Sequence, residues 1–311
     1  MPAPRGWHTQ RMSNALLLIP DFLLIIVGFV LCRYTAINRP VWDAAERLVY
    51  YVLFPVLLFN SILKSPLQPA QTLNLVAAAV GTVACGIVLS LSLKHCPGVD
   101  ARLHASGAQT AFRFNSYIAL ALSERLGGPQ GLAWMALMIA LCVPLCNVAA
   151  VWPLARHGGH AYGRELLRNP LIISTLAGLG ANLVGLHLPE ALATTMQRIG
   201  LAALPLGLMA VGAGLRFGGL KASPALASAF LTLRHAVLPA IAIGLTAMLA
   251  LPAQQRLIVV LFAALPTSAS AYVLAARMGG DGAFVAGLVT VSTLLGMVSI
   301  PVWLEVLAAL G

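Results

Sequence analysis

The chain has 311 residues, 59% of them hydrophobic and 9% charged, with a net charge of +10 and a mean hydropathy of +0.89. A water-soluble domain has nowhere to bury that much apolar surface, so composition excludes that class and gives an integral membrane protein. In such a chain an excess of Lys and Arg reports topology and does not call for a nucleic-acid partner.

Ten segments are long and apolar enough to cross about 30 Å of hydrocarbon as helices. They lie near 13–34, 41–63, 71–94, 105–125, 131–154, 169–187, 190–215, 224–250, 255–277 and 283–308. Span 1 follows Arg5 and Arg11 as a signal peptide would, but no small-residue cleavage site follows it, so it is expected to be retained. It carries Asp21, a candidate for proton coupling or for pairing with a polar neighbour.

Span 4 contains "GAQTAFRFNSYIALAL", which sets Gln109, Thr110, Arg113, Asn115 and Ser116 within two turns. Such a cluster is costly in a membrane unless it faces a cavity or a partner helix. Asn115 and Ser116 offer donors and acceptors, while Arg113 either attracts an anion or snorkels to the headgroups. In span 5, Cys142 and Cys146 share a helical face without a His or carboxylate to complete a metal site, and no cofactor is expected. The segment "RHGGHAYGRELLR" from Arg156 is too short to fold alone and reads as a linker that exposes His157 and His160.

Span 8 holds Arg234, read as an anchor at the cytoplasmic face, and His235, a second coupling candidate. Span 9 reads "RLIVVLFAALPTSASAYVLAARMG", with Pro266 near its middle and Thr267, Ser268 and Ser270 after it. Proline removes a donor and breaks the helix, leaving free carbonyls before it and a new N terminus after it. That N terminus and the hydroxyls suit a carboxylate; the alternative is a simple kink.

Helix breakers recur at an offset of about 150 residues, from Pro20 to Pro170, Pro55 to Pro205, and Gly127-Gly128 to Gly279-Gly280. Five spans per copy make the repeats opposite in orientation, a plan common among secondary transporters. The expected units are residues 1–155, a cytoplasmic linker at 156–168, and residues 169–311. Thirteen of the 19 Lys and Arg residues fall on the side of the odd-numbered connections, which puts both termini outside. The offset joins Ser116 to Pro266 as two halves of one candidate site.

"RNPLIISTLAGLGANLVGLHLPEAL" from Arg168, "IGLAALPLGLMAVGAGLRF" from Ile199 and "AALPTSASAYVLAARMGGD" from Ala263 resemble the auxin efflux carrier family, in its bacterial members. The resemblance implies an all-α, bile-acid-symporter-like fold in the inner (plasma) membrane. Spans 1, 2, 6 and 7 would form a scaffold, often dimeric, with spans 3–5 and 8–10 as a mobile elevator unit. Asn115 matches the family's polar break in span 4, and Pro266 with Thr267 the break in span 9. Members commonly continue from the span 4 Asn into a Gly-Leu-Pro-like stretch, whereas this chain has "YIALAL" from Tyr117, so a weaker break is expected there.

The expected function is secondary transport of a small organic anion through Arg113, Asn115, Ser116, Pro266, Thr267, Ser268 and Ser270, with Asp21 or His235 as coupling groups. The alternative is a cation-coupled symporter of a neutral or amphipathic solute. Within the spans there are no paired carboxylates, metal cluster or activated nucleophile, so an enzyme is not expected. The partners are the bilayer, the anion and a second copy of the chain through the scaffold helices.

Overall fold

A computed structural model describes residues 7–64, 69–155, 170–216, 218–268 and 270–310. The linker expected at 156–168, with His157 and His160, lies outside the described residues. Among these residues the secondary structure is helical throughout, with no strand. Hydrocarbon offers no partner to a free N–H or C=O, and a helix satisfies both within one segment.

The elements in chain order are α1 (Trp7–Tyr34), α2 (Arg39–Leu63), α3 (Pro69–Ser92), α4 (Ala101–Gly107), α5 (Gln109–Phe112) and α6 (Ser116–Ala155). After the linker come α7 (Pro170–Leu183), α8 (Glu190–Ala213), α9 (Pro224–Met248), α10 (Ala253–Ala264), α11 (Ala271–Arg277) and α12 (Gly282–Ala309). Both α2 and α9 contain a widened π turn, at Val49–Leu53 and Leu233–Val237, just ahead of Pro55 and Pro239. A proline that cannot donate to the preceding turn is accommodated by such a bulge without ending the helix.

Among the described residues, six stretches are long and apolar enough to cross a membrane: Arg39–Leu63, Thr72–His95, Ala101–Leu154, Glu190–Ala213, Pro224–Met248 and Gly282–Ala309. The expectation of ten differs in how it divides the chain, and expected span 1, which falls in α1, is not among the six. Expected spans 4 and 5 form one stretch of 54 residues, and expected spans 6 and 9 give only the shorter apolar helices Ile173–Leu183 and Ala253–Ala264. At 1.5 Å per residue the 40 residues of α6 would reach about 60 Å, twice the hydrocarbon thickness. The helix is in fact interrupted at Gly128, whose φ of 58° and ψ of −156° are open to glycine alone. The chain folds back there, since a side chain on Gly131 would lie 2.6 Å from the carbonyl oxygen of Ser123.

The helices pack in two groups. In one, α1 lies along α8, and α2 along α7 and α8; in the other, α3, α6, α9, α10 and α12 pack mainly on one another. Gly28 and Gly212 bring α1 and α8 to backbone contact, Gly28 against Met209 and Gly212 against Ile25. Gly207 receives the ring of Phe54. The small-residue run of α8 thus serves packing within the chain. Large apolar side chains such as Val88, Val148, Trp152 and Val298 face outward, a surface that suits lipid and not water.

A side chain at Gly212 has no room beside the Ile25 carbonyl, so Gly212→Val is expected to cost on the order of 1–3 kcal/mol through overpacking. Gly180→Ala, with no atom within 4 Å of the added carbon, is expected to be neutral. Thermal unfolding of both variants in detergent checks the pair, and equal melting would contradict the close packing.

Candidate functional site

The chain leaves helical geometry at two places in the interior. After α5 it is extended from Arg113 (φ −75°, ψ 143°) to Asn115, and after α10 it is unwound from Leu265 to Ser268. The two breaks meet, because the backbone N–H of Asn115 donates to the carbonyl of Pro266 at 2.9 Å.

Expected span 4 breaks fully without a proline, and its neighbours supply the means. The side chain of Asn115 caps α6, its Oδ1 accepting from the N–H of Tyr117 at 3.0 Å and of Ile118 at 3.2 Å. The thiol of Cys146 donates to the Phe112 carbonyl at 3.5 Å. The Gln109 amide reaches the Ala271 carbonyl, from the other break, at 3.2 Å. The break in span 9 is served by Arg234, whose Nε donates to the carbonyl of Leu265 and whose Nη2 donates to that of Phe262 at 3.2 Å. At 2% exposure, Arg234 is a core residue, not the interface anchor expected from its place in the sequence. The N–H of Thr267 donates to Ser292 Oγ at 2.9 Å.

The helix resumes at Ala271, later than the first residues after a proline would suggest, and α11 has only seven residues. Thr267 and Ser268 therefore lie on unwound chain, and the N terminus that faces the cavities is that of α6, where Ser116 lines them. Two adjoining cavities of about 210 and 160 Å³ share Tyr50, Ser116, Leu171, Ser268 and Ser270. The larger adds Asn115, Tyr117, Tyr272, Arg39 and Glu46; the smaller adds Arg113, Cys146 and Asn147. Residues of α2, α7 and α8 form one wall, and the two breaks with α12 form the other. Cavities for drug-sized molecules run to about 300–1,000 Å³, so this space suits a small solute.

Two features bear on the chemistry. Asn115 is 3% exposed, its amide is oriented by the two N–H groups on Oδ1, and its Nδ2 has no partner among the described residues. A buried donor left unpaired costs about 1–3 kcal/mol, which a ligand acceptor would remove. Among the described residues, moreover, neither Arg113 nor Arg234 has a carboxylate within ion-pair distance. Arg113 donates to Ser270 Oγ at 3.0 Å and to Gln109 Oε1 at 3.2 Å, both neutral. Arg113, which lines the smaller cavity, thus brings positive charge to it, while Arg234 is buried against the carbonyls of the span 9 break and lines neither cavity.

The structure thus brings together Arg113, Asn115, Ser116, Pro266, Thr267, Ser268 and Ser270, with Ser268 and Ser270 hydroxyls 2.9 Å apart. It does not bring in the coupling candidates. Asp21 is buried against Arg125, at 3.2 and 3.3 Å, in a separate cavity. His235 sits between Ser299 and Ser292 at 2.9 and 2.8 Å, touching the break only through Ser292. Arg39, Glu46, Tyr50 and Tyr272 were not anticipated. The one local signal was Tyr117, next to Ser116, which stacks on Phe54 of α2 with centroids 4.9 Å apart.

Residues 155–304 match the family described as membrane transport protein. A protein of Methanothermobacter thermautotrophicus named "Uncharacterized transporter" is 26% identical over 304 residues, 95% of this chain and 99% of that protein. Another, from Rhizobium meliloti, is named "Putative malonate transporter" and is 25% identical over 299 residues, 91% of this chain and 92% of that protein.

Replacing Arg234 by Met strands the carbonyls of Phe262 and Leu265, and the expected loss is about 1–3 kcal/mol for each unsatisfied acceptor. Arg234→Lys, keeping one donor, is expected to melt between wild type and Arg234→Met. An unchanged melting temperature for Arg234→Met would show that the break does not depend on this side chain.

Proposed function

We propose that this chain, which belongs to the auxin efflux carrier family of membrane transporters, is a secondary transporter that carries a small organic carboxylate by alternating access. The observation that carries the reading is the buried Nδ2 of Asn115, unpartnered among the described residues, at the larger cavity, with Arg113, which has no acidic partner among those residues, lining the adjoining one. A carboxylate satisfies both, accepting from the amide and balancing the guanidinium. The α6 N terminus adds the positive end of a helix dipole.

Ten spans in two inverted repeats belong to the same proposal. It is supported by two breaks that meet, and by positive φ at both Gly128 (58°) and Gly279 (75°), the turns that follow them. The scaffold is α1, α2, α7 and α8, through which two copies would associate, and the transport unit is the remainder. The cavities lie between the two groups, so sliding one group past the other would carry a bound anion from one side to the other. The distribution of basic residues supports an arrangement with both termini outside.

The relative named for malonate makes a three-carbon dicarboxylate the first probe. Labelled malonate and a panel of small mono- and dicarboxylates, tested by counterflow in proteoliposomes, are expected to give exchange for at least one member. Asn115→Asp keeps the acceptor that caps α6 but replaces the free donor with an anion. We expect its melting to match wild type while counterflow falls on the order of 100-fold, about what loss of a buried charged contact costs. Undiminished exchange in both Asn115→Asp and Arg113→Gln would refute the site, and absence of exchange for every acid in wild type would refute the substrate class.

A further inference from the structure

The larger cavity has a charged wall opposite Asn115 that the proposed site does not use. Arg39 Nη2 donates to Glu46 Oε1 at 2.9 Å, and Arg39 Nε pairs with Asp43 Oδ1 at 2.8 Å. The third nitrogen of the guanidinium, Nη1, is buried without a partner among the described residues. Arg39 and Glu46 both line the cavity with Asn115, and among the described residues Glu46 is the one carboxylate lining either cavity. A surface ion pair would contribute little, but this one stands in the same enclosed space as an unpaired amide donor.

We infer that Arg39 is a second contact for the transported carboxylate, and that Glu46 releases it by taking up a proton as the anion binds. The inference rests on the carboxylate reading above. An entering anion meets two unpartnered donors, Arg39 Nη1 and Asn115 Nδ2, and one like charge, Glu46. Two carboxylates sharing one guanidinium at close range disfavour each other's ionised form. The conflict is removed when Glu46 takes a proton from hydronium, resupplied by the buffer acid: the donor's bond to that proton breaks as one O–H bond forms on Glu46, the Arg39–Glu46 pair opens, and the guanidinium turns to the substrate carboxylate. One anion and one proton enter together, and the charge of a monocarboxylate is balanced. Asp43, paired with Nε, keeps a hold on the guanidinium throughout.

The groups around Glu46 allow this assignment. On its own helix it faces Arg39, Asp43 and Tyr50; from elsewhere it meets Arg216, beyond the end of α8, with Tyr117 and Tyr272 lining the same cavity. Asp43 is the other carboxylate on Arg39, but its side chain is the more exposed of the two and it does not line the cavity that Glu46 lines. By linkage, uptake of one proton makes binding tighten as pH falls, by up to about tenfold per pH unit.

The test is calorimetric titration of the purified protein with malonate at pH 7.0–8.5, in buffers of different ionisation enthalpy, which counts protons taken up per anion bound. Acetate and succinate serve as further probes. Wild type is expected to take up close to one proton per malonate, and Glu46→Gln to take up none, with an affinity that no longer varies with pH. Binding without proton uptake in wild type overturns the inference and leaves the carboxylate reading standing. Equal uptake in Glu46→Gln and wild type overturns the assignment to Glu46. If none of the three acids binds wild type while it melts as a folded protein, the inference falls together with the function proposed for the site. The wild-type count does not depend on any variant folding; should Glu46→Gln not fold, Glu46→Asp is read instead, with uptake retained but moved in pH. An unmoved profile in that variant overturns the assignment.

Discussion

The hydrogen bond from the Asn115 N–H to the Pro266 carbonyl, 2.9 Å long, joins two stretches of backbone that could not exist separately in hydrocarbon. Unwound chain leaves donors and acceptors that lipid cannot satisfy, so each break must find partners inside the protein. Here the breaks serve each other, and the remaining groups are met by residues brought from other helices. Arg234 takes the carbonyls of Phe262 and Leu265, Ser292 takes the N–H of Thr267, Cys146 reaches the Phe112 carbonyl, and Gln109 bridges to Ala271. Gly296 clears space for the Pro266 ring, since any side chain there would meet three of its atoms at 3.2–3.3 Å.

The same arrangement explains the chemistry of the cavity. Holding open carbonyls requires strong donors, and Arg234 supplies them to Phe262 and Leu265, while Arg113 binds the side-chain oxygens of Gln109 and Ser270 across the two breaks. The positive charge needed for structure is then available to a ligand at little further cost in burial. Asn115 illustrates the economy: its Oδ1 caps α6, and its Nδ2, buried at a residue that lines the cavity, is a donor with no partner among the described residues. Because the opposite wall belongs to α2, α7 and α8, any relative movement of the two helix groups changes the cavity.

Much of this was legible in the chain. Pro266 marked a break because proline carries its own cause, and the polar cluster around Asn115 stood out because such residues are costly within a span. The glycine pairs at 127–128 and 279–280 do mark turns, with positive φ at Gly128 and Gly279. The break in span 4 was less legible, since its cause is a side-chain cap and a thiol 34 residues away rather than a proline. Arg234 was misplaced because nearness to a helix end in sequence says nothing about which carbonyls lie across the interface. Asp21 and Arg125, separated by 104 positions, form a pair that no local pattern announces. Arg39 and Glu46 were hidden for a related reason: at the start of span 2 they resemble an ordinary charged helix entry, and only the packing of α2 against α6 and α8 turns them toward the cavity.

The most direct test of the central claim is to locate a bound carboxylate. Crystals grown with bromomalonate, measured at the bromine absorption edge, would place the anion by its anomalous signal. The account predicts a peak in the adjoining cavities between Asn115 and the Ser268–Ser270 hydroxyls. A peak confined to the separate cavity beside Asp21 and Arg125, with none near Asn115, would contradict it.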